Sequence, residues 1–179
     1  MAERHQFRAN LHDYNSGLYF ITICAYEKQH IFGRIVGTRF FASELGNIVE
    51  ENIASIPKYY RDVELVNHVV MPNHIHIVLS VGTPAMPTTG QSATPKYGCL
   101  KKRQHDDVDI DFHHNSRLAT IVGAFKAGVT RTARTRRIAS LPVWQSRFHE
   151  HIIRSQRAFD SIMEYINTNV ENWGNDCFA

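Results

Sequence analysis

Two histidines separated by one residue stand in an apolar stretch of the chain, His74-Ile75-His76. Alternate side chains of a β-strand point to the same face, so His74 and His76 share one face and Ile75 lies on the other. Two imidazoles roughly 7 Å apart along a strand can bind one divalent cation through neutral ring nitrogens. The spacing indicates either a metal site or two polar residues on an exposed sheet face.

A tyrosine and an asparagine lie one helical turn apart, in the segment Tyr165-Ile-Asn-Thr-Asn169. Residues four apart project from the same side of a helix. Ile162 and Ile166 can turn toward a sheet, which leaves Tyr165 at the edge of the buried stripe. A phenol at this position could be a nucleophile or a packing residue, and the helix pattern alone does not decide between these roles.

A second histidine pair, His149 and His151, has the same spacing as the first. No third ligand follows it at a suitable distance along the chain. We therefore expect these histidines to be strand residues near the same face and not a second metal site.

The elements that must position these groups follow from the hydrophobic pattern. Strands are predicted at 17–26, 63–70, 74–80 and 143–153. Helices are predicted at 44–56 and 156–169, and a further helix is predicted to begin at the cap Ser116 and to include the apolar stripe 118–129. Pro57 is expected to end the first helix. This order predicts an α+β fold, a ferredoxin-like βαββαβ antiparallel sheet with two crossover helices on one face, plus a C-terminal helix that carries Tyr165.

The composition limits the class of protein. With 179 residues, 43% hydrophobic and 21% charged, the chain has the composition of a globular domain and not of a disordered chain or a coiled coil. Residues 1–179 are predicted to form one domain, in which 82–114 is a flexible insertion. No apolar run is long enough to cross a membrane, and the first ten residues lack the apolar core of a signal peptide. The three cysteines are widely spaced, which favours reduced thiols over disulfides. For these reasons a cytoplasmic protein is expected.

Positive charge is concentrated in one part of the chain. Residues 115–157 contain nine lysines and arginines against one acid, a net charge of +8, while the remainder sums to −5. Such a segment is typical either of a surface that binds a polyanion or of a solvated helix face.

Four motifs occur in a fixed order, VVMPNHIHIVLS, FKAGVTR, VWQSRFHEHIIR and EYINTN. Together they resemble the single-tyrosine HUH transposases (His, hydrophobic, His), and most closely the REP-associated tyrosine transposases. The resemblance extends from about Tyr19 to Trp173.

The resemblance implies a function and a site. His74, His76 and Asn169 would be the ligands of a divalent cation, Mg²⁺ or Mn²⁺, and Tyr165 would be the nucleophile that cleaves and rejoins single-stranded DNA through a 5′-phosphotyrosine. The DNA often carries a hairpin, and related enzymes work either as homodimers with a shared site or as monomers, so a homodimer is possible here. Positions expected to contact the DNA are Lys126, Arg131, Arg134, Arg136, Arg137 and Arg147.

Two alternatives stay open from the sequence. One is a ferredoxin-like module that binds nucleic acid without catalysis, and the other is a relaxase or replication-initiation nickase with the same chemistry. The segment from Trp173 onward could dock on its own sheet or on a neighbouring subunit.

Overall fold

The computed structural model describes residues 16–82, 116–138 and 142–176. The strands in these ranges are β1 (Gly17–Cys24), β2 (Gly33–Val36), β3 (Arg39–Ala42), β4 (Val63–Val70), β5 (His74–Val81) and β6 (His149–Ile152). The α-helices are α1 (Glu44–Tyr59), α2 (Arg117–Thr135) and α3 (Gln156–Thr168), and short 3₁₀ helices occur at Tyr26–Lys28 and Trp173–Asn175. Apart from Gly82, the predicted insertion at 82–114 lies outside the described residues.

Four strands form one antiparallel sheet in the order β4-β5-β1-β6. Strands β1 and β5 pair along their whole length, from Gly17 opposite Val81 to Cys24 opposite His74. The remaining strands pair at the two edges, β4 with β5 and β6 with β1. This order is that of a ferredoxin-like βαββαβ sheet, so the predicted fold class is confirmed.

The two faces of the sheet are covered by different helices. On one face, Ile21 of β1 and Ile75 and Ile77 of β5 form an apolar cluster with the buried side chains of α1 and α2. On the other face, Phe20 and Val78 form a smaller cluster with α3. Alternation along the strands produces this division, because neighbouring residues point to opposite sides.

The three α-helices of the described ranges each begin at a serine cap, Ser43, Ser116 and Ser155. Each hydroxyl oxygen accepts a hydrogen bond from the backbone N–H three residues later, which satisfies a donor that has no partner within the helix. None of the helices in the described ranges is both long enough and apolar enough to cross a membrane.

The prediction that α1 ends before Pro57, at residue 56, is wrong by three residues. The helix continues to Tyr59, and the backbone N–H of Tyr60 still donates to the carbonyl of Ile56 at 3.2 Å. Proline removes its own N–H from the helix, but this loss falls in the last turn. Ile56 is 4% exposed, so packing of this turn against the core holds it in place.

The hairpin of β2 and β3 was not predicted. Each strand is four residues long, and Gly37, with φ of +62°, occupies the tight turn between them. The carbonyl oxygen of Phe32 then approaches the first turn of α1 so closely that a Cβ at Gly46 would lie 2.0 Å from it. Glycine is required there because any side chain would displace the hairpin or the helix.

The fourth strand of the sheet is shorter than the predicted 143–153. Trp144 makes only an isolated bridge to Ala25, and regular pairing begins at His149. The carbonyls of Gln145 and Ser146 instead accept hydrogen bonds from the Lys126 ammonium, at 2.6 and 3.1 Å. Because these carbonyls bond to a side chain of α2, the segment leaves the sheet before β6.

Candidate metal and nucleophile site

His74 and His76 lie on the α3 side of β5, an inner strand of the sheet. They are 0% and 1% exposed. Their cross-strand neighbours on β1 are Cys24 and Thr22. The rings pack at a centroid distance of 4.6 Å, which brings the two Nε2 atoms to 3.0 Å from each other. The alternation predicted from the sequence therefore produces two imidazoles side by side in a buried position.

Each histidine is held through its Nδ1 atom. The Nδ1 of His74 lies 2.8 Å from the amide oxygen of Asn73, which can only accept, so this nitrogen donates. The Nδ1 of His76 lies 2.9 Å from the Thr22 hydroxyl. Such contacts orient imidazoles that bind metals, because they fix the ring and leave Nε2 facing the site.

Burial keeps both rings neutral at physiological pH. It lowers the pKa of His74 to about 3, with a smaller contribution from the positive charge of Lys28. Burial also lowers the pKa of His76 well below its usual value, and the adjacent His74 acts in the same direction. Neutral imidazole is the form that binds a metal ion.

Tyr165 reaches the histidines from α3. Its hydroxyl oxygen lies 3.2 Å from Nε2 of His76, and its ring packs edge-on against Phe20 at 6.1 Å. Ile162 and Ile166 are buried beside it, while Tyr165 itself is only partly buried. The phenol thus lies at the edge of the apolar stripe, close to the histidine pair of its own chain.

A polar contact joins α3 to the edge strand β4. The side-chain amide of Asn67 donates to the side-chain oxygen of Asn167 at 3.0 Å. The pairing of β4 with β5 is irregular between Leu65 and Asn67, where β4 contains an extra residue. Beyond this irregularity Asn67 pairs with Val78, and its contact with Asn167 joins β4 to α3.

Asn169 caps the C-terminal end of α3, one turn after Tyr165. It is 2% exposed, and its side-chain oxygen is buried with no hydrogen-bond partner among the described residues. A buried amide oxygen without a donor is costly, so this atom is suited to a ligand that the protein alone does not supply.

Asp176, which none of the sequence motifs includes, also lies beside the histidines. Its carboxylate oxygen lies 3.8 Å from Nε2 of His74, and its side chain is 3% exposed. The ligand atoms of His74, His76 and Asp176 all lie within 4.8 Å of one another, so the three residues form a group that could hold a metal ion. The segment before it docks through Trp173, which stacks on His74 at 6.0 Å. Residues 173–176 therefore pack on their own chain.

The second histidine pair lies on the same face as the first. His149 is opposite Thr22 and His151 is opposite Phe20, so His76, Thr22 and His149 form one row across the sheet. Both histidines of β6 are exposed, unlike His74 and His76.

The basic residues of α2 lie on the other side of the sheet. Arg131 and Arg134 line a shallow groove of about 610 Å³ with Lys126 and Trp144. Lys126 is half-buried and bonded to backbone carbonyls, and burial lowers its pKa. The four arginines predicted in this region and Arg147 are exposed, and Arg136 contacts Glu51 at 3.4 Å.

No protein-family profile matches the chain. An uncharacterized protein of Haemophilus influenzae is 33% identical over 175 residues, which is 97% of this chain and 91% of that protein. Among solved structures, a REP-associated tyrosine transposase bound to a REP hairpin aligns with 98% of this chain and 76% of its own, at 16% identity and a TM-score of 0.56. The chain therefore belongs to one family with the Haemophilus influenzae protein, and its fold is that of a REP-associated tyrosine transposase, as the sequence motifs indicated.

Proposed function

We propose that this protein is a transposase-type endonuclease that cleaves and rejoins single-stranded DNA through Tyr165 and a divalent cation. The observation that carries the proposal is the 3.2 Å contact between the Tyr165 hydroxyl and Nε2 of His76, inside a pair of buried, neutral histidines. A helical tyrosine used only for packing has no need of such neighbours. The DNA substrate is proposed to carry a hairpin, and the reaction is proposed to occur in the cytoplasm.

The donor set fits a divalent cation. The Nε2 atoms of His74 and His76 face each other, and the buried oxygen of Asn169 has no donor among the described residues. Mg²⁺ prefers oxygen ligands, whereas Mn²⁺ also accepts imidazole, so Mn²⁺ suits the two histidines at least as well. When bound, the cation supplies charge stabilisation at the scissile phosphate.

Tyr165 supplies the covalent step. Its oxygen forms a bond to phosphorus while the bond from phosphorus to the 3′ oxygen breaks, and the proton lost by the phenol is matched by the proton that the 3′ oxygen gains. The product is a 5′-phosphotyrosine and a free 3′-OH. A second 3′-OH can displace the tyrosine, so rejoining needs no other source of energy.

The site can be assembled within one chain, because Tyr165 lies beside His76 of the same polypeptide. This contact supports the proposal that a monomer can carry out the cleavage. In a homodimer that exchanges α3, Tyr165 of one subunit would lie beside the histidine pair of the other, and the chemistry would be the same.

The geometry argues against a module that only binds nucleic acid. Ferredoxin-like binding domains stack bases on exposed aromatic residues of an open sheet face. Here α3 covers that face, and Phe20 is 9% exposed. A replication-type nickase would share the cleavage step, and the rejoining of two DNA ends distinguishes a transposase from it.

The test is the formation of a covalent adduct. The protein is incubated with end-labelled single-stranded DNA that contains a hairpin, with Mn²⁺, and the products are separated under denaturing conditions. We expect a protein–DNA adduct that Tyr165→Phe abolishes and that Tyr59→Phe leaves unchanged, because Tyr59 is 80% exposed at the end of α1. An adduct that persists in Tyr165→Phe would assign the nucleophile to another residue.

A further inference from the structure

The segment after α3 returns to the histidine pair. The 3₁₀ helix Trp173–Asn175 ends at Asp176, whose carboxylate points into the site that His74 and His76 form. Neither the HxH motif nor the helical spacing of Tyr165 and Asn169 includes this residue. Its position beside the histidines thus adds a negatively charged oxygen to a set of neutral donors.

The distances are close to those that one cation requires. Two ligand atoms that each lie about 2.1 Å from the same ion are at most about 4.2 Å apart. The two Nε2 atoms are 3.0 Å apart, and the Asp176 oxygen is 3.8 Å from that of His74. All three ligand atoms lie within 4.8 Å of one another, so side-chain shifts of less than about 1 Å would bring them around one ion.

The contact between Asp176 and His74 is too long for a direct hydrogen bond. The Asp176 oxygen lies 3.8 Å from Nε2 of His74, and Nδ1 of the same ring already donates to Asn73. The carboxylate is 3% exposed, and a buried carboxylate gains from a nearby divalent charge. An ion between the three residues would bring that charge to within bonding distance.

Trp173 packs the segment before Asp176 against the site. Its ring stacks on His74 at 6.0 Å with an interplanar angle of 24°, and it meets His30 edge-on at 5.6 Å. Through these two ring contacts the 3₁₀ helix packs against the histidine pair. Asp176, three residues later, is held against the histidines by this packing.

We propose that Asp176 is a protein ligand of the divalent cation, so that the metal site is a two-histidine, one-carboxylate set to which Asn169 adds its amide oxygen. This inference rests on the metal site of the proposed function. A carboxylate strengthens binding of a hard cation such as Mn²⁺, because it contributes a full negative charge where the amide contributes only a dipole. Trp173 is a positioning residue in this arrangement.

The inference is tested by metal binding in the absence of DNA. Mn²⁺ is titrated into the full chain, and the free ion is measured by electron paramagnetic resonance. We expect Asp176→Asn to weaken Mn²⁺ binding about tenfold or more, whereas Glu171→Gln, which removes an exposed acid from the same segment, leaves the affinity unchanged. Asp176→Ala gives the same comparison if the asparagine variant does not fold, which circular dichroism in EDTA establishes.

The outcomes separate this inference from the proposed function. The assignment of Asp176 as a ligand is wrong if Asp176→Asn binds Mn²⁺ as tightly as the wild type does. It is also wrong if the wild type does not bind Mn²⁺. A loss of Mn²⁺ affinity in Asp176→Asn supports it even if no DNA adduct forms, and in that case the failure lies with Tyr165 as the nucleophile.

Discussion

The two faces of the central sheet bury very different kinds of side chain. The face covered by α1 and α2 forms the larger apolar cluster. The face covered by α3 holds only a small apolar cluster. The buried polar residues of the described ranges lie on the α3 face or in the turn that leads into β5: Thr22, Asn73, His74, His76, Ser80 and Asn169.

Because of this difference, the α1/α2 face contributes mainly to stability, and the α3 face carries the groups proposed to do chemistry. Burying polar groups costs free energy unless they are bonded, so a site built from them depends on apolar packing elsewhere. The α1/α2 face supplies that packing through the same strands that carry the histidines. A residue on β5 therefore contributes to stability if its side chain points toward α1 and α2, and to the chemistry of the site if it points toward α3.

The largest expected effect is on the α3 face. His76→Ala removes an imidazole that contacts both His74 and Tyr165. We expect DNA cleavage to fall on the order of 10²–10³-fold, as when one group that stabilises transition-state charge is removed. The free energy of unfolding should fall by about 1–3 kcal/mol, because the Thr22 hydroxyl and His74 each lose a hydrogen-bond partner. Rates of adduct formation and thermal denaturation measure the two quantities.

The adjacent residue should behave in the opposite way. Ile77 is 2% exposed in the α1/α2 cluster, so Ile77→Ala is expected to reduce the free energy of unfolding by about 2–5 kcal/mol. Cleavage per folded molecule should not change at a temperature where the variant is folded. Urea denaturation gives the stability. A variant that is stable but inactive would contradict the division between the faces.

A smaller effect is expected at the residue that orients His76. Thr22→Val keeps the shape of the side chain but removes the hydroxyl that lies 2.9 Å from Nδ1. Mn²⁺ affinity should fall about 10–100-fold, because the ring is no longer fixed by its second nitrogen. Thr120→Val, on the exposed side of α2, is the control, and equal Mn²⁺ affinity in the two variants would contradict an orienting role.

The regular parts of this site could be predicted from the sequence because they follow simple periods. A period of two put His74 and His76 on one face, and a spacing of four put Asn169 one turn after Tyr165. The antiparallel sheet order followed from the succession of elements and from the motifs. The contact between Tyr165 and His76, across 89 positions, depended on the family resemblance as well.

The irregular parts could not be predicted. Asp176 follows a single turn of 3₁₀ helix, which has no periodicity, and that turn packs through Trp173 on His74, 99 positions earlier in the chain. Strands β2 and β3 are too short for their alternation to be distinctive, although Gly37-Thr38 between two apolar pairs was a usable turn signal. Lys126 donates to backbone carbonyls, and a contact with a carbonyl cannot be predicted from residue types because every residue has one.

Lys126 permits a test of whether a basic residue of α2 serves structure or DNA. Lys126→Met keeps most of the aliphatic chain but leaves the carbonyls of Gln145 and Ser146 without their donor. We expect a loss of about 1–2 kcal/mol in the free energy of unfolding. The salt dependence of DNA binding should not change if the ammonium is fully used within the protein. A reduced salt dependence would instead indicate a phosphate contact.

The smallest effect is expected from the exposed arginines, which lie across the sheet from Tyr165. Arg131 and Arg134 line the groove beside Trp144, so DNA that reaches them must pass around an edge of the sheet. Replacing both by glutamine should weaken binding of a long hairpin substrate and reduce the slope of log affinity against log salt by about one per charge. Cleavage of a short oligonucleotide that occupies only the α3 face should be unaffected. Arg39→Gln is the control, because Arg39 is exposed on β3 and is not among the expected DNA contacts. An equal change in slope per charge for Arg39→Gln would indicate a diffuse effect of charge with no defined path along α2.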